Sequence, residues 1–203
     1  MPRPPDDDLR AALLDRAVDY VCKHGLSELS LRPLAKALRT SAALLHYHFG
    51  SKDDLIAAII EAGRARQVAA MQQLELQGDL STAEVGRILW RAWSDARWEP
   101  LIMLFFEVYA LALRDRSRFP GFLESAIEAW LRPLQATLPD PDGPRARALA
   151  TVTLDGFRGF LLDLCATHDR VRIDAAVELW LAMLEHAETA PEMTRRFFPD
   201  AAS

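Results

Sequence analysis

The sequence predicts an all-α fold, and three features support this prediction. Apolar residues recur every three or four positions in several segments, as do Leu13, Ala17 and Val21, which is the spacing of one helix face. No segment alternates apolar and polar residues as a strand does, and no internal repeat is present. Half of the residues are hydrophobic and 26% are charged, a balance typical of folded globular proteins.

The N-terminal residues predict an arm followed by a helix. Residues 1 to 8 are expected to form a flexible arm, with Asp6 to Asp8 at the start of a helix, where negative charge favours the helix dipole. This helix runs to about His24, and Gly25 supplies the left-handed residue that ends it. Its apolar face carries Leu13, Ala17, Tyr20 and Val21.

The stretch LSLRPLAKALRTSAALLHYHFGSKDDL, residues 29–55, predicts two short helices joined by a tight turn, then the start of a third. Ser30 caps the first helix, and Pro33 lies in its first turn, where a missing N–H removes no hydrogen bond. Thr40 or Ser41 caps the second helix. This arrangement is the helix-turn-helix, whose second helix enters the major groove of DNA.

The charges of this stretch agree with a nucleic-acid surface. Between Leu29 and Lys52 there is no Asp or Glu, although the net charge of the chain is −5. A local absence of acidic residues suits a surface that meets phosphate. The cations and imidazoles of the stretch are Arg32, Lys36, Arg39, Lys52, His46 and His48.

A long helix is expected from Ser51 to about Leu76. Ser51 and Asp54 form an S-x-x-D start that resembles a capping box, and the free N–H groups beside Lys52 make this terminus a candidate phosphate site. Residues 77 to 81 predict a break. The next helix is capped by Ser81 or Thr82 and carries Val85, Ile88, Leu89, Ala92 and Trp93.

The remaining chain predicts four more helices. Pro100 opens LIMLFFEVYALALRD, which is apolar on almost every side and therefore central. After a charged corner at residues 114–120, a helix continues to about Leu138, and PDPDGP at residues 139–144 is the clearest loop. The last two helices span about residues 145–167 and 173–188. Each is apolar on two faces, so one face is expected to pack against a second subunit.

The composition of the chain and the motifs that it lacks exclude several classes of protein. No apolar run reaches the length of a membrane span, and the N-terminus lacks a signal-peptide core, so the sequence predicts a cytoplasmic protein without a membrane segment. Cys22 and Cys165 are far apart in sequence and outside any CxxC motif, which favours two reduced thiols over a redox switch. Phosphate-loop, HExxH and G-x-S-x-G motifs and metal-spaced clusters are absent, so no enzyme, cofactor or metal site is predicted.

HYHFGSKDDL, which follows LAKALRTSAALL and the helix AVDYVCKHG, resembles the N-terminal domain of the tetracycline-repressor (TetR) family of bacterial transcription regulators. The resemblance is specific over about the first 60 residues. It implies a helix-turn-helix DNA-binding domain at residues 1–50 and a helical ligand-binding and dimerisation domain at residues 51–203. It also implies a homodimer that binds a near-palindromic operator in double-stranded DNA and is released by a small, largely apolar effector.

Two positions depart from the family pattern. Arg39 stands where the family usually has Gly at the corner of the helix-turn-helix, and His46 stands where it usually has Tyr. Ala42, Ala43 and Leu44 lie at base-facing positions of that pattern but can only touch thymine methyl groups. Direct contacts to DNA bases are therefore expected from Arg39, Thr40, Ser41, His46 and Tyr47. Contacts to phosphates are expected from Ser30, Arg32, Lys36, His48 and Lys52. For His48, a structural role between two aromatic residues is equally open.

The effector pocket and the dimer interface are expected in the C-terminal helices. Aromatic residues between helices can line an apolar site, and Glu107 or Arg158 could either pair with each other or select a polar ligand group. The predicted pocket residues are Trp90, Trp93, Phe105, Phe106, Glu107, Tyr109, Phe122, Trp130, Phe157 and Arg158. The predicted interface residues are Val152, Gly156, Phe160, Leu164, Ala176, Leu179, Trp180 and Met183.

The expected function is that of a ligand-responsive repressor. An activator and a helical regulator that acts through protein–protein contacts remain open alternatives, because the recognition helix is unusually apolar. Residues 1–55 carry eight Lys or Arg and eight Asp or Glu. Affinity for DNA must therefore come from the placement of charge and from two copies of the domain.

Overall fold

The computed structural model describes residues 5–26, 29–72, 80–136, 138 and 140–189, and these residues contain no strand. They include one short 3-10 segment, Ala96–Trp98. The helices within the described segments are α1 (Pro5–His24), α2 (Leu31–Ala37), α3 (Ala42–Phe49), α4 (Lys52–Gln72), α5 (Thr82–Trp93), α6 (Glu99–Arg114), α7 (Phe122–Ala136), α8 (Pro144–Thr167) and α9 (Arg170–Thr189).

The chain forms two compact units that interleave in sequence. The N-terminal unit comprises residues 1–72 and 100–123, and the C-terminal unit comprises residues 73–99 and 124–203. Helices α4 and α6 therefore belong to the same packing unit as the helix-turn-helix. These packing limits differ from the functional boundary expected at residue 50, which remains a prediction.

The core of the N-terminal unit comes from one apolar face on each of its first four helices. Helix α1 packs against α2 and α4, and α3 packs against α2 and α4. Each fully buried aliphatic side chain stabilises such a core by about 1.5–3 kcal/mol relative to exposure. The buried residues include Leu13, Ala17, Val18, Val21, Leu34, Leu38, Leu45, Phe49, Leu55, Ile56 and Ile59.

Helix α1 begins earlier than the sequence suggests. Its first residue is Pro5, so residues 5–8 are helical and do not belong to a flexible arm; residues 1–4 lie outside the described part of the chain. Pro5 suits a first helical position because its fixed φ is already helical, and Asp6 to Asp8 occupy the first turn. The carboxylates therefore extend the helix towards the N-terminus.

The C-terminal unit is built around α5, α8 and α9, which contact one another. Gly86 of α5 lies against Leu181 of α9, and Gly156 of α8 lies against the indole ring of Trp180. The helices expected in this region are present, and α7 retains Pro133 within it. The 3-10 segment was not predicted, and its start is capped by Asp95, whose carboxylate accepts a hydrogen bond from the Arg97 N–H at 3.0 Å.

The connection between α4 and α5 is only partly described. Helix α4 is described to Gln72, so the end predicted near Leu76 and most of the break at residues 77–81 lie outside the described residues. Ser81 does cap α5, in a capping box with Glu84. Among the described helices, none is both long and apolar enough to cross a bilayer.

Candidate nucleic-acid interface

Helix α2 ends in a left-handed turn at Arg39, whose φ is +53°. The Arg39 N–H donates to the Lys36 carbonyl at 3.2 Å, and the Thr40 N–H donates to the Ala35 carbonyl at 2.9 Å. These two bonds form a Schellman motif, which satisfies carbonyl groups at a helix end. The motif reverses the chain so that α3 begins shortly after it, at Ala42.

Helix α3 is capped at its start and buried along one side. The Ser41 hydroxyl accepts a hydrogen bond from the Leu44 N–H at 3.0 Å. Leu45 and Phe49 are buried, whereas Tyr47 on another face is 71% exposed. The exposed face is therefore available to a partner such as the major groove.

Helix α4 starts with the capping box predicted from S-x-x-D. The Ser51 hydroxyl accepts from the Asp54 N–H at 3.1 Å, and the Asp54 carboxylate accepts from the Ser51 N–H at 2.9 Å. The carboxylate also accepts from the Ser51 hydroxyl at 2.7 Å. These hydrogen bonds from Ser51 lower the pKa of Asp54. Lys52 follows the cap directly and is exposed.

The exposed cations of the helix-turn-helix have no carboxylate partner among the described residues, whereas other charges nearby do. Asp53, next to Lys52, accepts from Arg118 at 3.0 Å, and Arg66 of α4 pairs with Asp15 and Asp19 of α1. We refer to these unpaired cations of the helix-turn-helix as its cationic surface. Its members are Arg32, Lys36, Arg39 and Lys52.

Most of the predicted DNA-binding residues are accessible. Within the set, Thr40 is half-buried and its hydroxyl oxygen is enclosed without a hydrogen-bond partner. Ala42 and Leu44 are half-buried too. The exposed members are Ser30, Arg32, Lys36, Arg39, Ser41, Ala43, His46, Tyr47 and Lys52.

His48 differs from the other members of the set because its side chain is only 3% exposed. Its Nε2 atom lies 3.7 Å from an Asp6 carboxylate oxygen, and its ring has an edge-on contact with Tyr47. A side chain so enclosed presents little surface to a phosphate. This geometry supports the structural interpretation of His48.

Two contacts that position the helix-turn-helix were missed from the sequence. The Arg10 guanidinium donates to the His48 carbonyl at 3.2 Å and lies 5.0 Å from the centre of the Phe49 ring, which ties α1 to the end of α3. The Glu107 carboxylate of α6 accepts from the Leu26 N–H at 2.8 Å. No local pattern indicates either contact, because the partners are 38 and 81 residues apart.

The predicted pocket residues fall into two groups. In the N-terminal unit, the Phe105 ring lies 5.5 Å from the rings of both Phe106 and Tyr109 and 6.5 Å from that of Phe122. All four of these side chains are half-buried. Glu107 belongs to the same helix, with its carboxylate turned to the Leu26 amide.

The second aromatic group lies in the C-terminal unit. Trp93 lies 5.1 Å from Trp130 and 5.3 Å from Phe157, measured between ring centres, and Trp90 stacks on Phe157 at 6.3 Å. Trp90, Trp130 and Phe157 are buried, so they contribute to the core, whereas Trp93 is half-buried. Arg158 donates to the Ala126 carbonyl at 3.0 Å.

The predicted dimer residues divide between the surface and the interior of the C-terminal unit. Phe160 and Trp180 are half-buried and join the aromatic group around Phe157, and Gly156 contacts Trp180 of the same chain. Leu164 and Ala176 are half-buried. The exposed apolar members are Val152, Leu179 and Met183.

The cysteine environments do not suit redox chemistry. Both thiols are free. Burial raises the pKa of the Cys22 thiol to about 11 and also raises the pKa of Cys165. A thiol that resists ionisation is a poor nucleophile. In the described part of the chain, no group of His, Cys, Asp and Glu side chains is placed to hold a metal ion.

Comparisons with known proteins agree with the helix-turn-helix geometry. Residues 13–59 match the sequence model of a family described as "Bacterial regulatory proteins, tetR family". This range contains α1 from Leu13, all of α2 and α3, and the first part of α4. None of the curated proteins is significantly similar to the chain in sequence.

Solved structures share the fold over most of the chain. A transcriptional regulator from Rhodococcus sp. Rha1 superposes with a TM-score of 0.75 at 18% identity, covering 90% of this chain and 99% of that protein. A multidrug binding protein, EbrR, solved in complex with imidazole, has a TM-score of 0.64 at 26% identity, with 91% and 93% covered. A TetR-family member from Streptomyces coelicolor A3 has a TM-score of 0.62 at 26% identity, with 89% and 98% covered.

Proposed function

We propose that this chain, which belongs to the TetR family of bacterial transcriptional regulators, is a repressor that binds a near-palindromic operator as a homodimer. DNA binding and regulation of transcription come with the family, and catalysis does not. To the family membership the proposal adds four features: the homodimer, the symmetry of the operator, the repressor role, and release by a small, largely apolar effector in the cytoplasm.

The observation that carries the proposal is the cationic surface of the helix-turn-helix. Arg32, Lys36, Arg39 and Lys52 are exposed and lack carboxylate partners among the described residues. Lys52 stands at the start of α4, where the first backbone N–H groups of a helix favour an anion. The net charge of the whole chain is −5, so these cations direct DNA to one place instead of attracting it everywhere.

Apolar exposure on α8 and α9 supports the homodimer. Leu179 and Met183 are 65% and 61% exposed although both are large apolar residues, and Val152 of α8 is exposed as well. Burial of such side chains against the same surface of a second copy would remove apolar area from water. Two helix-turn-helix units on a two-fold axis then read two half-sites.

The half-buried aromatic residues support an apolar effector. Phe105, Phe106 and Tyr109 are half-buried on α6, and EbrR, a similar protein, is named for multidrug binding. In this chain α6 shares a packing unit with the helix-turn-helix. An effector that displaced α6 would therefore act on DNA binding within a single unit.

Two contacts supply a physical route for that coupling. The Glu107 carboxylate of α6 accepts a hydrogen bond from the Leu26 N–H at 2.8 Å. Arg118, in the corner after α6, donates to the Asp53 carboxylate at the start of α4 at 3.0 Å. A movement of α6 would displace Leu26, which follows α1, together with the start of α4. Coupling of this kind typically amounts to about 1–3 kcal/mol and requires tighter effector binding to the form that does not bind DNA.

Selection of bound DNA from a random duplex pool tests the proposed function. The purified protein, at moderate salt and without added ligand, should enrich a near-palindrome. That site then becomes the probe for effectors that release the protein. No enrichment at any salt concentration would contradict the proposal and favour a regulator that acts through protein–protein contacts or requires a ligand to bind DNA.

Lys52→Ala tests the phosphate site at the start of α4. We expect weaker binding to all duplexes, with the slope of log K against log salt reduced by about 1, because one phosphate contact is lost. Lys23→Ala is the matched control, since Lys23 is exposed on α1 outside the candidate interface. Unchanged affinity and salt slope in Lys52→Ala would remove Lys52 from the DNA contacts.

A further inference from the structure

The three helices that build the helix-turn-helix domain do not end in the same way. Helices α1 and α3 each end at a glycine with a positive φ, Gly25 at +77° and Gly50 at +78°. Helix α2 is also followed by a residue with positive φ, but that residue is Arg39, at φ +53°. Arginine has a Cβ atom, and this conformation is unfavourable for residues that carry one.

The hydrogen bonds of the α2 turn do not require an arginine. The Schellman motif uses the backbone N–H groups of Arg39 and Thr40 and the carbonyl groups of Lys36 and Ala35, all of which a glycine would retain. The Arg39 side chain is exposed and has no ion pair or side-chain hydrogen bond among the described residues. The strained backbone therefore carries a side chain that the isolated subunit does not use.

Residues 40–44 offer few other groups for reading DNA bases. Ala42, Ala43 and Leu44 at the start of α3 have no polar side-chain atom. The Thr40 hydroxyl oxygen is buried, and the Ser41 hydroxyl accepts from the Leu44 N–H as a helix cap. Of residues 39–44, Arg39 is therefore the one with an exposed polar side chain that makes no hydrogen bond to another described residue. His46 and Tyr47, which lie further along α3, are exposed as well.

We infer that Arg39 is a specificity-determining residue that contacts a guanine from the turn before the recognition helix. This role explains why an arginine occupies a backbone conformation that favours glycine. Arginine can donate two hydrogen bonds to the O6 and N7 atoms of guanine in the major groove. The inference rests on the proposed DNA-binding function. It adds that this chain reads sequence from the turn before α3 and not mainly from the apolar first turn of α3.

Arg39→Gly separates backbone strain from DNA reading because the two effects have opposite signs. Glycine adopts the left-handed conformation freely, so the melting temperature should stay equal to or rise above that of the wild type. Operator affinity should fall by about tenfold to a hundredfold, the range that one bidentate contact to a base provides. Arg39→Asn, which also tolerates this conformation, provides a second variant without the guanidinium.

The decisive readout is the DNA sequence that each protein selects. The Arg39→Gly variant should enrich a site that has lost its base preference at one position in each half-site. His168→Gly is the matched control, since His168 ends α8 at φ +54° with an exposed side chain. It should relieve the same strain and leave the selected site unchanged.

Three results would overturn the inference. An unchanged consensus in Arg39→Gly would show that Arg39 reads no base, and an equal loss of affinity on operator and random duplexes would reduce it to a phosphate contact. A lowered melting temperature would show that the arginine stabilises the turn. Failure of the proposed function is distinct from all three, because then the wild-type protein would select no site.

Discussion

At the scale of single residues, the serines before α2, α3 and α4 do not all cap their helices. The hydroxyls of Ser41 and Ser51 accept hydrogen bonds from N–H groups three residues later, at 3.0 and 3.1 Å. Ser30 has the extended backbone of a cap residue before α2 but makes no side-chain cap bond. A serine before a helix therefore predicts the boundary, whereas the cap hydrogen bond also needs an N–H donor, and Pro33, three residues after Ser30, has none.

Alanine substitutions should separate these roles. Ser41→Ala and Ser51→Ala should each lower the free energy of unfolding by about 1 kcal/mol, because each leaves a helix N–H without its partner. Ser30→Ala should have a much smaller effect. Urea denaturation of the three variants would measure the difference, and a Ser30→Ala loss as large as that of Ser51→Ala would show that Ser30 caps α2 in solution.

The Asp54 carboxylate should make the stability of α4 depend on pH. Hydrogen bonds from Ser51 lower the pKa of Asp54, so its contribution is complete above the unfolded-state pKa of about 3.9 and is lost as the pH falls through the folded-state value. Asp54→Asn should therefore be less stable than the wild type at pH 7. The difference in melting temperature should shrink below about pH 4, and a difference that stayed constant to pH 2 would contradict this assignment.

At the scale of helices, two glycines of α8 have opposite surroundings. A Cβ atom added at Gly156 would overlap the indole ring of Trp180 on α9, whereas one added at Gly159 would meet nothing within 4 Å. The absence of a side chain at Gly156 therefore allows α8 and α9 to approach within one subunit. Gly156 is also among the predicted interface residues, and that prediction is not tested by this contact.

Gly156→Ala and Gly159→Ala test this difference. Gly156→Ala should reduce the free energy of unfolding by about 1–3 kcal/mol, the usual cost of overpacking. Gly159→Ala should increase it by about 0.5–1 kcal/mol, because alanine is favoured over glycine inside a helix. Chemical denaturation of both variants gives the comparison, and equal effects would show that Trp180 moves aside at no cost.

At the scale of the whole molecule, the proposed dimer depends on the apolar surface of α8 and α9. The double variant Leu179→Glu with Met183→Glu should sediment as a monomer at concentrations where the wild type is a dimer, because it would bury charge in the interface. Its helix content should be unchanged, since both side chains are more than half exposed in the single subunit.

Val171→Glu is the control for that experiment. Val171 lies on α9 and is 84% exposed, but it is not among the predicted interface residues. It should leave the dimer intact. A dimer that survives the double variant would place the interface on another surface, and dissociation by Val171→Glu alone would extend it to the start of α9.

Local chemistry made much of this fold predictable. The S-x-x-D start of α4, the cap at Ser41 and the glycine at the end of α1 follow from hydrogen bonds and backbone conformations within a few residues. The helix-turn-helix was predictable for the same reason, and the family comparison confirms it over residues 13–59. Arg39 was recognisable as a departure, but only the structure shows its left-handed backbone.

The sequence by itself determined the helices, their caps and the stretch without acidic residues, because these depend on neighbours along the chain. Only the tertiary structure decided that His48 is enclosed, that Glu107 holds the Leu26 amide and that Gly156 accommodates Trp180. Each of these depends on which distant residue packing brings near. Helical periodicity shows that a face is apolar, but it does not identify the helix that covers that face.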